Sequence, residues 1–306
     1  PVGLPFACSL ILRKFLPPAG SIGTFFLIRK GIWPKRGKIS YIEAAKPPDS
    51  AMTALPVPSA VAVTFVGAGP GAAAHLTLGA YGALQAADVV IHDRLVGAEI
   101  LALIPAAVRK IDMGKEGFGP SAAQADINTT LVAEAQSGAK VVRLKGGDCG
   151  IFGRLDEEID ALEAAGLSFV ILPGLTSAAV AAANIGQSLT RRGRNASLRI
   201  VTGHDMVGFA EQDWRAIARA GEVTAIYMGK KSARFIQGRL LMHGADADTP
   251  VSLIENVSRP DERVIAATLA TLPEAAAQLA GPAVILYGLS PRRTAAVLPA
   301  LKEALA

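Results

Sequence analysis

Aromatic residues make up only 5% of this 306-residue chain, and it has just two cysteines and four histidines. The aromatic scarcity, against a hydrophobic share of 51% rich in alanine, argues against an aromatic-rich β-sandwich and for tightly packed helices and parallel strands. Cys8 and Cys149 cannot build a disulfide framework and fit a reduced, cytoplasmic protein. His75, His92, His204 and His243 show no metal-ligand spacing, so no catalytic metal is expected.

The formal charge of +5 is unevenly placed. Eight of the 31 basic residues but only two of the 26 acidic ones fall in residues 1–51, leaving 23 against 24 beyond. The body is not basic, and no nucleic-acid partner is expected. Residues 1–51 lack periodicity and break at "LPPAG", "WPKRGK" and "KPPDS". Their apolar stretches, "GLPFACSLIL" and "TFFLI", are too short to cross a bilayer, so no membrane partner is expected. We expect residues 1–60 to be a disordered or spurious extension, with a targeting peptide or a folded appendage as alternatives.

From residue 61 strands and helices alternate. Strands are expected at 61–67, 88–93, 109–114, 139–145 and 168–174, with helices at 75–87, 124–137 and 155–165. This βα repeat implies a mostly parallel sheet with ligands off the carboxyl ends of its strands. A second set of strands follows at 198–204, 222–229, 249–255, 262–269 and 282–288, with helices at 232–243 and 273–280. There 249–269 reads as an antiparallel meander. The expected organisation is α/β: one α/β domain over 61–173, a second over 178–291, a cleft between them and a C-terminal helix over 292–306.

Two loops suggest a ligand. In "VVRLKGGDCGIFGR" (141–154) a β-branched strand ends in glycines, which let the backbone turn sharply or a ligand approach it closely. In "VGAGPG" (66–71) a strand runs into a glycine turn, and Asp93 ends the next strand. That layout suits a nucleotide or an ordinary tight turn. Pro70 argues against a phosphate cradle, because it removes an N–H donor.

Taken together, "VGAGPG", "HDRLV", "MGKEG", "VVRLKGGD" with "IFGR", "PGLTSA", "SLTRRG", "VTGH" and "YMG" occur in the order and approximate spacing of the tetrapyrrole methylases. Over residues 61–291 the chain resembles that family and, within it, the uroporphyrinogen-III C-methyltransferases of sirohaem and cobalamin synthesis. Residues 1–51 do not resemble the dehydrogenase/ferrochelatase module fused to them in sirohaem synthases. The resemblance implies S-adenosyl-L-methionine as methyl donor in an interdomain cleft, a small-molecule tetrapyrrole substrate methylated at C2 and C7 to give precorrin-2, and a homodimer.

Residue by residue, the resemblance assigns cofactor contacts to Pro70, Gly146, Gly147, Asp148, Ile151, Thr176, Ser177, Met228 and Val257. It assigns Asp93 as proton acceptor and Lys115 as proton donor. The need for an acceptor is physical: a pyrrole carbon that attacks a methyl group becomes part of a cation and must then lose a proton. Uroporphyrinogen III carries eight carboxylates, so arginines are expected in the cleft, with Arg154, Arg191 and Arg194 the candidates and Lys230 and Lys231 nearby. Departures from the family pattern fall at Ala72, Ala73 and Ala74, at Cys149 and Gly150, at Arg191 in place of a histidine, and at Val257 in place of a glycine. Cys149 reads as a packing variant. Rival readings are a sibling methylase, a dinucleotide oxidoreductase built on 61–93, and a methylase retained only for binding.

Overall fold

The computed structural model describes residues 61–114, 124–206 and 208–292. The expected N-terminal extension, Lys115 and nearly all of the expected C-terminal helix lie outside these residues.

The first sheet has strands β1 (Val63–Gly67), β2 (Val89–His92), β3 (Arg109–Asp112), β4 (Val141–Lys145) and β5 (Phe169–Leu172). Their order is β3-β2-β4-β1-β5 and every pairing is parallel. Helices α1 (Leu78–Ala86), α2 (Ala98–Ala102), α3 (Gln124–Gln136) and α4 (Leu155–Ala164) connect them. Strands buried on both faces read as near-continuous apolar runs. Val66, Val90, Val142 and Leu144 pack with α1 and α2, whereas Val63, Phe65, Ile91 and Val141 pack with Leu131 of α3 and Leu162 of α4. The chain steps one way from β1 to β2 and the other way from β4 to β5. Right-handed crossovers therefore put their helices on opposite faces and open a crevice beyond the ends of β1 and β4.

Helix α1 starts at Leu78 rather than at 75. Thr77 Oγ1 accepts the Ala80 N–H at 3.1 Å as an N-cap, and Ala73–His75 form a separate 3₁₀ turn.

Helix α5 (Ser177–Asn184) leaves the first sheet and packs on the second, where Ala178, Ala181 and Ile185 meet Ala225, Ile254, Val284 and Leu286. The second sheet comprises β6 (Arg199–Thr202), β7 (Thr224–Tyr227), β8 (Pro250–Glu255), β9 (Arg263–Thr268) and β10 (Ala283–Tyr287), in the order β6-β7-β10-β8-β9. Helices α6 (Trp214–Ile217), α7 (Ala233–Met242) and α8 (Leu272–Ala277) contribute to a core on its other face with Ile226, Val251, Leu253 and Ile285. The meander β8–β9 is antiparallel as expected. The strand β10 enters antiparallel between β7 and β8, which no local pattern announces.

Candidate functional site

A cavity of about 860 Å³ opens beyond the strand ends, lined by both lobes. The first sheet contributes the loops after β1, β2, β4 and β5, and the second contributes the loops after β7 and β8 and the residues leading into β10. Pro70, Asp93, Gly146, Gly147, Asp148, Ile151, Arg154, Thr176, Ser177, Met228 and Val257 all line it.

The glycines have two roles. A Cβ on Gly67 would collide with the backbone of Gly174, and one on Gly174 would collide with the Gly147 carbonyl. These glycines let the ends of β1, β4 and β5 touch main chain to main chain, a packing reason beside turning and ligand approach. Gly69 and Gly147 then exchange N–H···O bonds of 3.0 and 2.8 Å. At Gly147, φ is +72°, and a Cβ there would meet only Ser177 Oγ, at 3.8 Å, so this residue leaves a hollow beside the start of α5.

Asp148 closes the same junction. Its Oδ2 accepts the Gly174 N–H at 3.0 Å and its Oδ1 accepts the Gly150 N–H at 2.9 Å. The carboxylate is thus occupied in tying two loops together.

Four of the five non-glycine residues with positive φ in the described chain line the cavity: Phe152, Arg154, Met228 and Asn256. Such conformations cost about 1–3 kcal/mol each and persist where the surroundings impose them. Met228, with φ +53°, is 50% exposed and lines the cleft, unlike an ordinary core methionine. Tyr227 beside it was not singled out by sequence reasoning. Its ring packs on Phe152 with centroids 5.4 Å apart, and its hydroxyl reaches Thr176 Oγ1 and the Ala178 N–H.

Beneath Asp93 lies a buried charge network. The parallel register sets Ile91 opposite Arg143, and alternation puts Asp93, Arg143 and Lys145 on the face covered by α3 and α4. Arg143 Nη2 donates to Asp93 Oδ1 at 2.6 Å and to Glu158 Oε1 at 3.0 Å, and its Nε donates to Glu158 Oε2 at 2.9 Å. Lys145 Nζ donates to Glu158 Oε1 at 2.6 Å. The side chains of Arg143 and Glu158 are 1% exposed, and that of Asp93 is 31% exposed. Burial works against the Arg143 charge, but the carboxylates of Asp93 and Glu158 outweigh it and hold the guanidinium above its ordinary value. Breaking such a pair costs about 3–5 kcal/mol, because a charge is left without compensation. Sequence reasoning did not single out this network; its one local trace is two cations at alternate positions of an otherwise apolar strand.

Cationic side chains outnumber carboxylates among the lining residues, with Arg94, Arg154, Lys230, Lys231 and Arg259 contributing. Arg154 is engaged in a bidentate pair with Glu157, at 2.7 and 2.6 Å, which holds that carboxyl below its usual range. Arg191 and Arg194 are not among the lining residues. Arg194 instead braces its own loop through Ser188 O at 2.7 Å and Asn195 Oδ1 at 3.0 Å. The motif "TRRGR" that carries them folds into a turn closed by the Arg191–Asn195 bridge. The burial of Cys149 among the side chains under α3 and α4 fits a packing role.

A two-lobed α/β fold with a cleft at the strand ends, lined by more cations than carboxylates, is a ligand-binding architecture. Residues 62–273 match the family of tetrapyrrole (corrin/porphyrin) methylases, and the chain belongs to that family. It is 45% identical over 226 residues to siroheme synthase 3 of Aeromonas hydrophila, which covers 74% of this chain and 48% of that protein. It is 44% identical over 226 residues to siroheme synthase of Edwardsiella ictaluri, covering 74% and 49%. The chain therefore spans about half the length of the curated relatives it matches. Among solved structures, uroporphyrin-III C-methyl transferase from Thermus thermophilus complexed with S-adenyl homocysteine superposes with a TM-score of 0.64 at 36% identity, covering 74% of this chain and 96% of that one.

Proposed function

We propose that the chain is an S-adenosylmethionine-dependent methyltransferase that acts on uroporphyrinogen III, methylating C2 and C7 to give precorrin-2, and that it works in the cytoplasm as a homodimer. The observation that carries the reading is the convergence of Pro70, Gly146, Gly147, Ile151, Thr176, Ser177, Met228 and Val257 on one cavity with Asp93 and an excess of cationic groups.

These residues fit the methyl donor. The hollow at Gly147 and the main chain of Gly146 and Asp148 suit an adenosyl and amino-acid moiety without phosphates, and Ile151, Met228 and Val257 supply apolar wall. When bound, the donor supplies an electrophilic methyl group on a sulfonium. The remaining work belongs to the chain. Lys230, Lys231, Arg94 and Arg259 attract and orient the substrate carboxylates. Asp93 accepts the proton that leaves the methylated ring carbon, and Lys115 serves as proton donor.

The test is anaerobic incubation of the full chain with methyl-labelled S-adenosylmethionine and freshly reduced uroporphyrinogen III, counting methyl groups on the product. Two methyls per ring support the assignment. One restricts it to a single transfer. Cofactor binding with no transfer points to a sibling methylase or a binding protein.

A further inference from the structure

We propose that Arg143 is a positioning residue for Asp93, aiming its carboxylate into the cleft, and that Glu158 and Lys145 hold Arg143 in place. The inference rests on the methyltransferase reading and deepens it, because it assigns work to three side chains that the cofactor and substrate assignments leave out.

Stability alone gives a weak reason for this network. Taking charged groups out of water costs more than apolar packing of the same volume, and buried ion pairs are often replaceable by hydrophobic residues without loss. Here the strand that carries Arg143 and Lys145 is apolar at Val141, Val142 and Leu144, so the cations interrupt a core that apolar side chains would fill. What distinguishes the network is where it ends. All four border the cavity, but the side chains of Arg143, Glu158 and Lys145 are buried and only that of Asp93, 31% exposed, reaches the open space.

The geometry is that of a bracket. Among the described residues the Asp93 carboxylate has one hydrogen-bond donor, Arg143 Nη2 on Oδ1 at 2.6 Å. This fixes one oxygen and leaves Oδ2 for a proton arriving from the cavity. The guanidinium cannot swing, because Nε and Nη2 both grip Glu158, and Glu158 Oε1 is gripped again by Lys145. Along the row Asp93, Arg143, Glu158, Lys145 the charges alternate in sign, so Arg143 and Glu158 are each held from both sides, Lys145 closes the buried end, and Asp93 forms the end at the cleft. A lysine at 143 would keep the charge but lose the planar fork that spans two carboxylates. Arg143 itself is 1% exposed and acts through Asp93 rather than on the ring.

The experiment compares the full-length chain with Arg143→Ala and Arg143→Lys, measuring methyl transfer to uroporphyrinogen III and, separately, S-adenosylhomocysteine binding by calorimetry. For Arg143→Ala we expect kcat to fall by about 10²-fold, the scale of a misplaced reacting group, with cofactor affinity and the tetrapyrrole KM within about threefold of the original. Millimolar guanidinium should restore part of kcat by entering from the cleft, and urea, of similar shape but uncharged, should not. Arg143→Lys should fall between the two. An unchanged kcat overturns the inference, as does a loss of kcat and cofactor affinity together without rescue, which marks a merely structural role. If Arg143→Ala does not fold, Arg143→Lys decides: lowered kcat at unchanged cofactor affinity supports positioning, and unchanged kcat refutes it. Failure of the unsubstituted chain to transfer any methyl group is a different result, which removes the methyltransferase reading and the inference with it.

Discussion

The hydroxyl of Tyr227 pairs with that of Thr176, tying the end of β7 to the first turn of α5. The same phenolic oxygen accepts the Ala178 N–H at 2.9 Å, so it takes the place of the N-cap side chain, which makes no capping bond of its own. The first N–H groups of a helix need such acceptors. Tyr227→Phe should leave the buried Ala178 amide without its partner, at a cost of about 1–3 kcal/mol. Because Thr176 lines the cleft, we expect S-adenosylhomocysteine affinity to weaken by roughly tenfold, equivalent to about 1.4 kcal/mol. Calorimetry on the two proteins reads this directly, and equal affinities would remove Tyr227 from the site.

A second pair of ties joins the two lobes. Ser258 Oγ accepts the Ala72 N–H at 3.0 Å, and Arg259 Nη2 donates to Leu95 O at 2.8 Å. Ser258→Ala orphans the Ala72 amide, whose residue is 2% exposed, again at about 1–3 kcal/mol. Differential scanning calorimetry should show Tm lowered by about 2–4 °C for each kcal/mol. A Tm equal to the parent's would mean that water replaces the hydroxyl without cost.

Substrate charge should be read by lysines more than by the "TRRGR" loop. Lys231→Ala, at the cavity wall, is expected to raise the tetrapyrrole KM a few-fold, more so at low salt, where exposed charges are less screened. Arg194→Ala should lower thermal stability through its lost bonds to Ser188 and Asn195 and leave that KM where it was. Steady-state kinetics at two ionic strengths separates the two outcomes, and the reverse pattern would return Arg194 to the substrate.

Cys149 should be chemically silent. Burial pushes its thiol up to about 12, against a smaller opposing pull from Lys145. The thiolate is the reactive form, and a raised value means that it is lost as pH falls below about 12. At pH 8 only about 10⁻⁴ of the thiol is ionised by that difference. Peptide-level mass spectrometry after maleimide treatment should find Cys149 unmodified in the native protein and modified after denaturation. Native labelling at pH 8 would show that the loop opens.

The fold class and the line-up of loops were legible because they rest on local signals: β-branched runs such as Val89-Val90-Ile91, glycine turns at strand ends, and family motifs in register. Features that depend on pairing between distant segments were not. Gly67 and Gly174 need each other's missing side chains, and no window around either shows it. Arg143 reads as a stray cation in a strand until Glu158 and Asp93 are brought to it from a helix and from another strand. Lys115 lies outside the described residues, so its role stands as proposed. The start of α1 lies three positions beyond the expected one, at the boundary that the Thr77 cap fixes.

The insertion of β10 between β7 and β8 also sets an order of assembly. A ribosome that has released residues up to 282 has delivered β6, β7, β8 and β9, but as two separate pairs, β6 with β7 and β8 with β9. Neither pair can complete its ladder until 283–287 emerges and is pressed between them. The wall that carries Tyr227 and Met228 on one side of that seam and Asn256 and Val257 on the other is therefore among the last parts of the molecule to become continuous. Long-range closure of this kind is slow compared with local helix formation, so a nascent chain holds a finished first sheet before it holds a finished pocket.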